Sequence, residues 1–154
     1  MGLIYGNYII ELYNKNKKMY FLSPTSMDNK ELTPRIPDNY FTKNNYEDNT
    51  TKRVCFAPSV DKCLMALSMK CVNQEFYVHI PIEGQQLNIV CPSTKQVPDS
   101  KITGEIWVTN PVKIKCIGKI KVTGDAGKKG HKFKYGENHY AELYDWNYEW
   151  IEKY

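Results

Sequence analysis

The sequence predicts one α+β domain, mostly β-strand, with a single short amphipathic helix near residues 59–70. Three observations carry this. The chain has 154 residues, a length that fits one domain, 1–154, and leaves little room for two. Its apolar residues fall mostly in short runs that alternate with polar ones, the period of a strand with one buried face. One stretch only, from Val60 to Cys71, repeats its apolar positions at the helical period. The 12 tyrosines agree with a sheet-rich fold, because tyrosine and β-branched residues fit a pleated surface.

Taken in order, residues 3–13 read as a strand carrying Ile9, Ile10 and Leu12. Met19 to Ser23 is a second, stopped by Pro24. From there to Lys52 runs a long irregular stretch with Pro24, Pro34, Pro37 and a cluster of Asn and Asp at 44–49. A connection of that length is often functional. It is either a flap over a cleft or a loose insertion, and the sequence leaves both open. Arg53 to Ala57 is a compact strand. Ser59 is a good N-cap, Asp61 lies in the first helical turn and Lys70 in the last, as the helix dipole favours. Val60, Cys63, Leu64, Leu67 and Cys71 form the apolar face. Glu75–Pro81, Gln86–Cys91 and Gly104–Thr109 are further strands. Val112 to Val122 alternates, with a bulge or bend expected at Gly118. Gly124 to Gly130 reads as a hairpin tip, since it lacks the spacing of a phosphate-binding loop. The segment 139–154 is dense in aromatics and reads as a closing helix or strand.

Composition narrows the function classes. A net charge of +4 is mild, and it comes from lysine, with Arg35 and Arg53 the two arginines. No arginine cluster or recognition helix points to nucleic acid. No apolar run reaches the roughly 18 residues of a membrane span. The start lacks the basic flank of a signal peptide. The five cysteines show no C-x2-C pair, which favours free thiols and a reducing, cytoplasmic setting. His79, His131 and His139 read as structural or surface residues, and without H-x3-H or H-E-x2-H no metal is expected.

Three blocks stand in a fixed order. The first is Met19-Tyr20-Phe21-Leu22-Ser23-Pro24. The second runs from Arg53-Val54-Cys55-Phe56-Ala57-Pro58-Ser59 into the helix. The third is Thr103-Gly104-Glu105-Ile106-Trp107-Val108-Thr109-Asn110-Pro111. This order resembles the ADP-ribosyltransferase superfamily, in the branch of diphtheria toxin and the poly-ADP-ribose polymerases, over about residues 19–122. The resemblance implies split antiparallel sheets and a site for NAD, used as substrate.

Carried over by position, Glu105 matches the family's catalytic glutamate. Cleaving the nicotinamide–ribose bond passes through an oxocarbenium-like sugar, and a carboxylate bonded to the ribose orients it and stabilises the developing charge. Leu22 stands where the family has its histidine, and Ser23 matches the residue whose backbone pairs with the nicotinamide amide. Cys55 and Phe56 match a Tyr-Phe pair. Ser59 either bonds near the nicotinamide or caps its helix, and the cap is favoured. Arg35, held between Pro34 and Pro37, suits a diphosphate, with an ion pair to Glu47 or Asp48 as the alternative.

Two signature residues are thus replaced, Leu22 for histidine and Cys55 for tyrosine. Three functions stay open: an enzyme that transfers ADP-ribose to a protein acceptor or hydrolyses NAD, a catalytically inactive nucleotide- or protein-binding module acting as an inhibitor, and an interaction protein using its aromatic tail. The lysine-, asparagine- and tyrosine-rich usage suits a bacterial or phage accessory protein.

Overall fold

The computed structural model describes residues 3–5, 8–14, 16–67, 72–125 and 130–154. Among them, strands dominate and every strand pairing is antiparallel. One sheet takes β1 (Leu3–Tyr5), β2 (Tyr8–Leu12), β7 (Gln86–Val90), β8 (Ile106–Val108) and β5 (Val54–Phe56), in that spatial order. The second takes β12 (Trp146–Lys153), β9 (Val112–Asp125), β6 (Glu75–Pro81) and β3 (Phe21–Ser23), with β4 (Glu31–Leu32) pairing to the start of β9. A hairpin of β10 (His131–Tyr135) and β11 (His139–Leu143) stands apart. The described residues hold three short helices, α1 (Tyr40–Lys43), α2 (Val60–Met65) and α3 (Ser100–Thr103), rather than the single one expected, because α1 and α3 are one-turn segments too short to show a helical period. The mostly-β expectation therefore holds.

Strand β8 explains itself. It lies between β7 and β5, so both its edges are bonded and all three of its residues are buried. A strand covered on both faces needs no polar alternation, which is why it reads as a bare I-W-V run. One core lies between the sheets, where Val54, Phe56, Leu87, Ile89, Ile106 and Val108 meet Val112 and Ile114 of β9. A second core lies beneath α2, where Val60 and Leu64 meet Phe76, Val78, Ile120 and Val122. Burying each such side chain contributes about 1.5–3 kcal/mol.

Strand β9 serves both cores through a bulge. Against β6, Val78 pairs with Gly118 and His79 with Cys116, leaving Ile117 unmatched. The extra residue reverses which face the even-numbered positions present, so Ile114 enters one core and Ile120 the other. The bend expected at Gly118 is there. A Cβ on Gly118 would collide with the Glu152 carbonyl oxygen and the Trp150 ring.

Several expectations are corrected. Residues 3–13 form two strands, β1 and β2, paired antiparallel. The stretch 24–52 is ordered by β4, by α1 with its Asn39–Thr42 capping box, and by Asp48, which accepts hydrogen bonds from the Thr50 and Thr51 amides. The helix stops at Met65, because the Leu67 amide closes a tighter turn on the Leu64 carbonyl. Leu67 still packs on the second core, while Lys70 and Cys71 lie outside the described residues, as does most of the Gly124–Gly130 loop. Of the helix and strand left open for the aromatic tail, the chain takes strand: Trp146, Tyr148 and Trp150 alternate along β12 and pack on the second core.

His79 fastens the chain as it leaves β3. It is fully buried, its Nε2 accepts the Met27 amide at 2.9 Å, and its Nδ1 lies 3.3 Å from the Phe21 carbonyl oxygen. Burial holds its pKa below the usual histidine value, so the neutral ring with the proton on Nδ1 fits both contacts.

Gly118→Ala forces β12 away from β9 and strips cover from the second core. The variant is expected to lose about 1–3 kcal/mol of stability in a urea titration, and an unchanged midpoint contradicts the close approach assigned to this glycine.

Candidate functional site

Glu105 is delivered by a sharp change of direction. Helix α3 ends on Gly104, whose φ is 67° and whose amide donates to the Ser100 carbonyl at 2.8 Å. Glycine takes that left-handed conformation without the penalty of a side chain. A Cβ there would also press on Pro58 Cγ at 3.0 Å. The Glu105 amide then donates to Thr103 Oγ1 at 3.3 Å, and the Lys62 ammonium ties α2 to α3 through the Ile102 carbonyl at 2.6 Å.

Alternation sorts the β5–β8 pair into two faces. Val54, Phe56, Ile106 and Val108 turn into the core between the sheets. Arg53, Cys55, Glu105 and Trp107 fall on the other face, with Cys55 directly opposite Trp107. Arg53 is 1 % exposed. Its guanidinium lies 4.0 Å from the centre of the Trp107 ring. Its Nη1 donates to the Asp48 and Thr51 carbonyls at 2.8 and 2.9 Å, and its Nη2 pairs with Glu47 Oε1 at 3.1 Å. The fully buried Trp107 donates its indole N–H to Glu105 Oε2 at 2.9 Å.

The charges here are perturbed. Burial pushes the Glu105 carboxyl up to about 7; the Trp107 N–H opposes the rise and nearby Glu47 and Asp99 add to it. Burial likewise raises Glu47, against the pull of Arg53, and raises Asp99. Burial also pushes the Cys55 and Cys63 thiols up to about 12, so both are protonated and unreactive at neutral pH.

Glu105 stands on a wall common to two cavities. The first, of about 150 Å³, is mostly apolar and is lined by Tyr20, Phe21, Leu22, Cys55, Phe56 and Leu67 among others. The second, of about 250 Å³, adds Phe41, Glu47, Asp99, Phe133 and Glu142. Cys55, Ala66, Thr103 and Glu105 line both. A third, of about 490 Å³, shares Phe21 and Cys55 with the first and carries Arg35.

Of the residues singled out in the sequence, Leu22, Cys55, Phe56 and Glu105 therefore meet at one cavity, and Arg35 lies at its neighbour. Arg35 is exposed and makes no ion pair to Glu47 or Asp48, because both carboxylates turn to Arg53. Ser23 and Ser59 do not join them. The buried Ser23 hydroxyl accepts the Thr25 amide at 3.3 Å, and Ser59 caps α2 by accepting the Lys62 amide at 3.1 Å. Sequence reasoning missed Arg53, Trp107, Glu47 and Asp99 as parts of the site. Among the described residues, no group of three or more His, Cys, Asp or Glu is placed to hold a metal ion, and no helix is long and apolar enough to cross a membrane.

The raised Glu105 pKa has a signed consequence for stability. The folded state keeps a proton that the unfolded chain, at about 4.3, has released. That contribution is fully present below about 4.3 and is lost as pH rises through about 7. Glu105→Gln keeps an acceptor for Trp107 and removes the titration. It is expected to match the parent at pH 4 and to exceed it by on the order of 3–4 kcal/mol at pH 8, read from denaturation midpoints; equal pH slopes for the two proteins contradict the burial assigned to this carboxyl.

Comparison with protein-family models, with curated proteins and with solved structures returns no match to this chain.

Proposed function

We propose that this domain binds NAD and cleaves its nicotinamide–ribose bond in the manner of an ADP-ribosyltransferase, transferring ADP-ribose to a protein acceptor or to water, with Glu105 as the essential carboxylate. The observation that supports this best is the convergence of Leu22, Cys55, Phe56 and Glu105 on one cavity. These residues come from the three separated blocks on which the resemblance rests.

On this reading the nicotinamide ring enters the apolar cavity among Leu22, Ala66 and Leu67, and the ribose lies at Glu105. Ionised Glu105 holds a ribose hydroxyl and stabilises the oxocarbenium-like sugar as nicotinamide leaves. The second cavity, which Glu105 also lines, admits the acceptor. The exposed Arg35 side chain takes the diphosphate beside the first cavity. A carboxyl with a pKa near 7 makes the rate rise with pH through that region as the anion forms. Leu22 offers no hydrogen bond to the adenosine ribose, so NAD binds more weakly than it does with histidine there.

The second reading, a silent binding module, is favoured by that same leucine. The third, docking by the aromatic tail, has the exposed Tyr140, Tyr144 and Tyr154 to draw on, since Trp146, Tyr148 and Trp150 pack on the second core. The bacterial or phage accessory role and the cytoplasmic setting remain part of the proposal on composition alone.

Purified protein incubated with NAD is expected to release nicotinamide, measured by chromatography, and Glu105→Gln to release it ~100-fold more slowly or worse. Arg35→Ala is expected to raise KM for NAD with little change in kcat. Absence of release, with NAD still raising the melting temperature, favours the silent module; absence of both effects overturns the nucleotide reading.

A further inference from the structure

The second oxygen of the Glu105 carboxylate makes no hydrogen bond among the described residues, whereas the first is held by Trp107. We infer that Trp107 is the positioning residue for Glu105, fixing one carboxylate oxygen through its indole N–H so that the other is presented to the ribose. The inference rests on the NAD reading above and names how that site is held.

A glutamate side chain has three rotatable bonds, and ordering it costs on the order of 1.5–2 kcal/mol. A carboxylate that must meet a sugar in one orientation gains from a partner that removes those alternatives beforehand. Trp107 is such a partner because it is itself immobile. It is fully buried, in a strand paired on both sides, with Val90 as its neighbour on β7 and Cys55 on β5. The Arg53 guanidinium covers its ring at 4.0 Å, and Arg53 is fixed in turn by Glu47 and by the Asp48 and Thr51 carbonyls. The N–H therefore points one way only, at Glu105 Oε2, two residues back on the same face. The Thr103 hydroxyl holds the Glu105 amide from the opposite end.

A purely structural tryptophan satisfies its N–H with any buried acceptor, and its loss changes stability alone. A positioning tryptophan does more. A hydrogen bond donated to the ionised carboxylate favours that form, so its removal moves the carboxyl titration upward.

The test uses the full chain with Trp107 replaced by 3-benzothienylalanine, which keeps the shape of the ring and puts sulfur in place of N–H, beside Trp107→Phe. Carboxyl ¹³C NMR follows the Glu105 titration, and nicotinamide release from NAD is followed against pH. In both variants the Glu105 titration is expected to move up by about half a unit or more. The pH–rate profile moves with it, and kcat falls ~10-fold or more at unchanged KM. A titration that stays in place in the folded benzothienyl protein overturns the inference, as does an unchanged kcat on the plateau of the profile. If the titration moves but neither parent nor variant releases nicotinamide, the hold on Glu105 stands and the NAD reading alone falls.

Discussion

The structure around the site depends on one buried cation. Arg53 stands immediately before the apolar strand β5, and a guanidinium taken out of water is tolerated only when its charge is met. Glu47, two backbone carbonyls and the face of Trp107 meet it, although Nε finds no hydrogen-bond partner among the described residues. Those partners come from the 47–51 stretch and from β8, so satisfying the charge draws the long connection onto the sheet. The backbone repeats the tie, since Arg35 and Arg53 exchange both N–H to carbonyl bonds, at 3.1 and 3.0 Å. Cys55, Trp107 and Glu105 share the face that this cation organises.

Glu105 sits against the interest of stability. A carboxyl pushed up to about 7 has lost more solvation than its partners return, and Glu47 and Asp99 nearby make ionisation harder still. Structural carboxylates usually go the other way, as Asp48 does: although burial opposes it, the amides and hydroxyls of Thr50 and Thr51 hold its pKa below the ordinary value. A carboxyl left partly unsatisfied on the wall of two cavities is the arrangement that an acid or base working at neutral pH requires. The thiols at 55 and 63, buried and protonated, do not compete with it for chemistry.

Much of this was legible in the chain. Glu105 announces itself as an acid between a glycine and an I-W-V strand, and Ser59 as a cap ahead of an amphipathic run. The bulge near Gly118 is visible as a break in the lysine–apolar alternation. Other features were hidden for physical reasons. A spacing of four, as between Trp146 and Trp150, fits a strand of period 2 and a helix of period 3.6 equally, so β12 was ambiguous. The helix after Ser59 read as longer than it is because an apolar position such as Leu67 serves the core in either conformation. Arg53 looked like the polar start of a strand, and its partners lie in an irregular loop that has no period to read. The scarcity of arginine is the available signal, but it points to Arg35 as readily as to Arg53, and Glu47 and Asp48, the alternative partners of Arg35, pair with Arg53. Trp107 looked like core because it is core, and its N–H acquires meaning only once the Glu105 carboxyl is seen beside it.

The central claim is that cavities sharing Cys55 and Glu105 form an NAD site. A crystal structure of the protein with carba-NAD, in which the ribose oxygen is replaced by carbon so that the nicotinamide bond survives, tests it most directly. The nicotinamide ring is expected beside Leu22 and Leu67, a ribose hydroxyl on the free oxygen of Glu105 and the diphosphate at Arg35. Carba-NAD bound elsewhere, or absent from crystals soaked at saturating concentration with the cleft open to solvent, contradicts it.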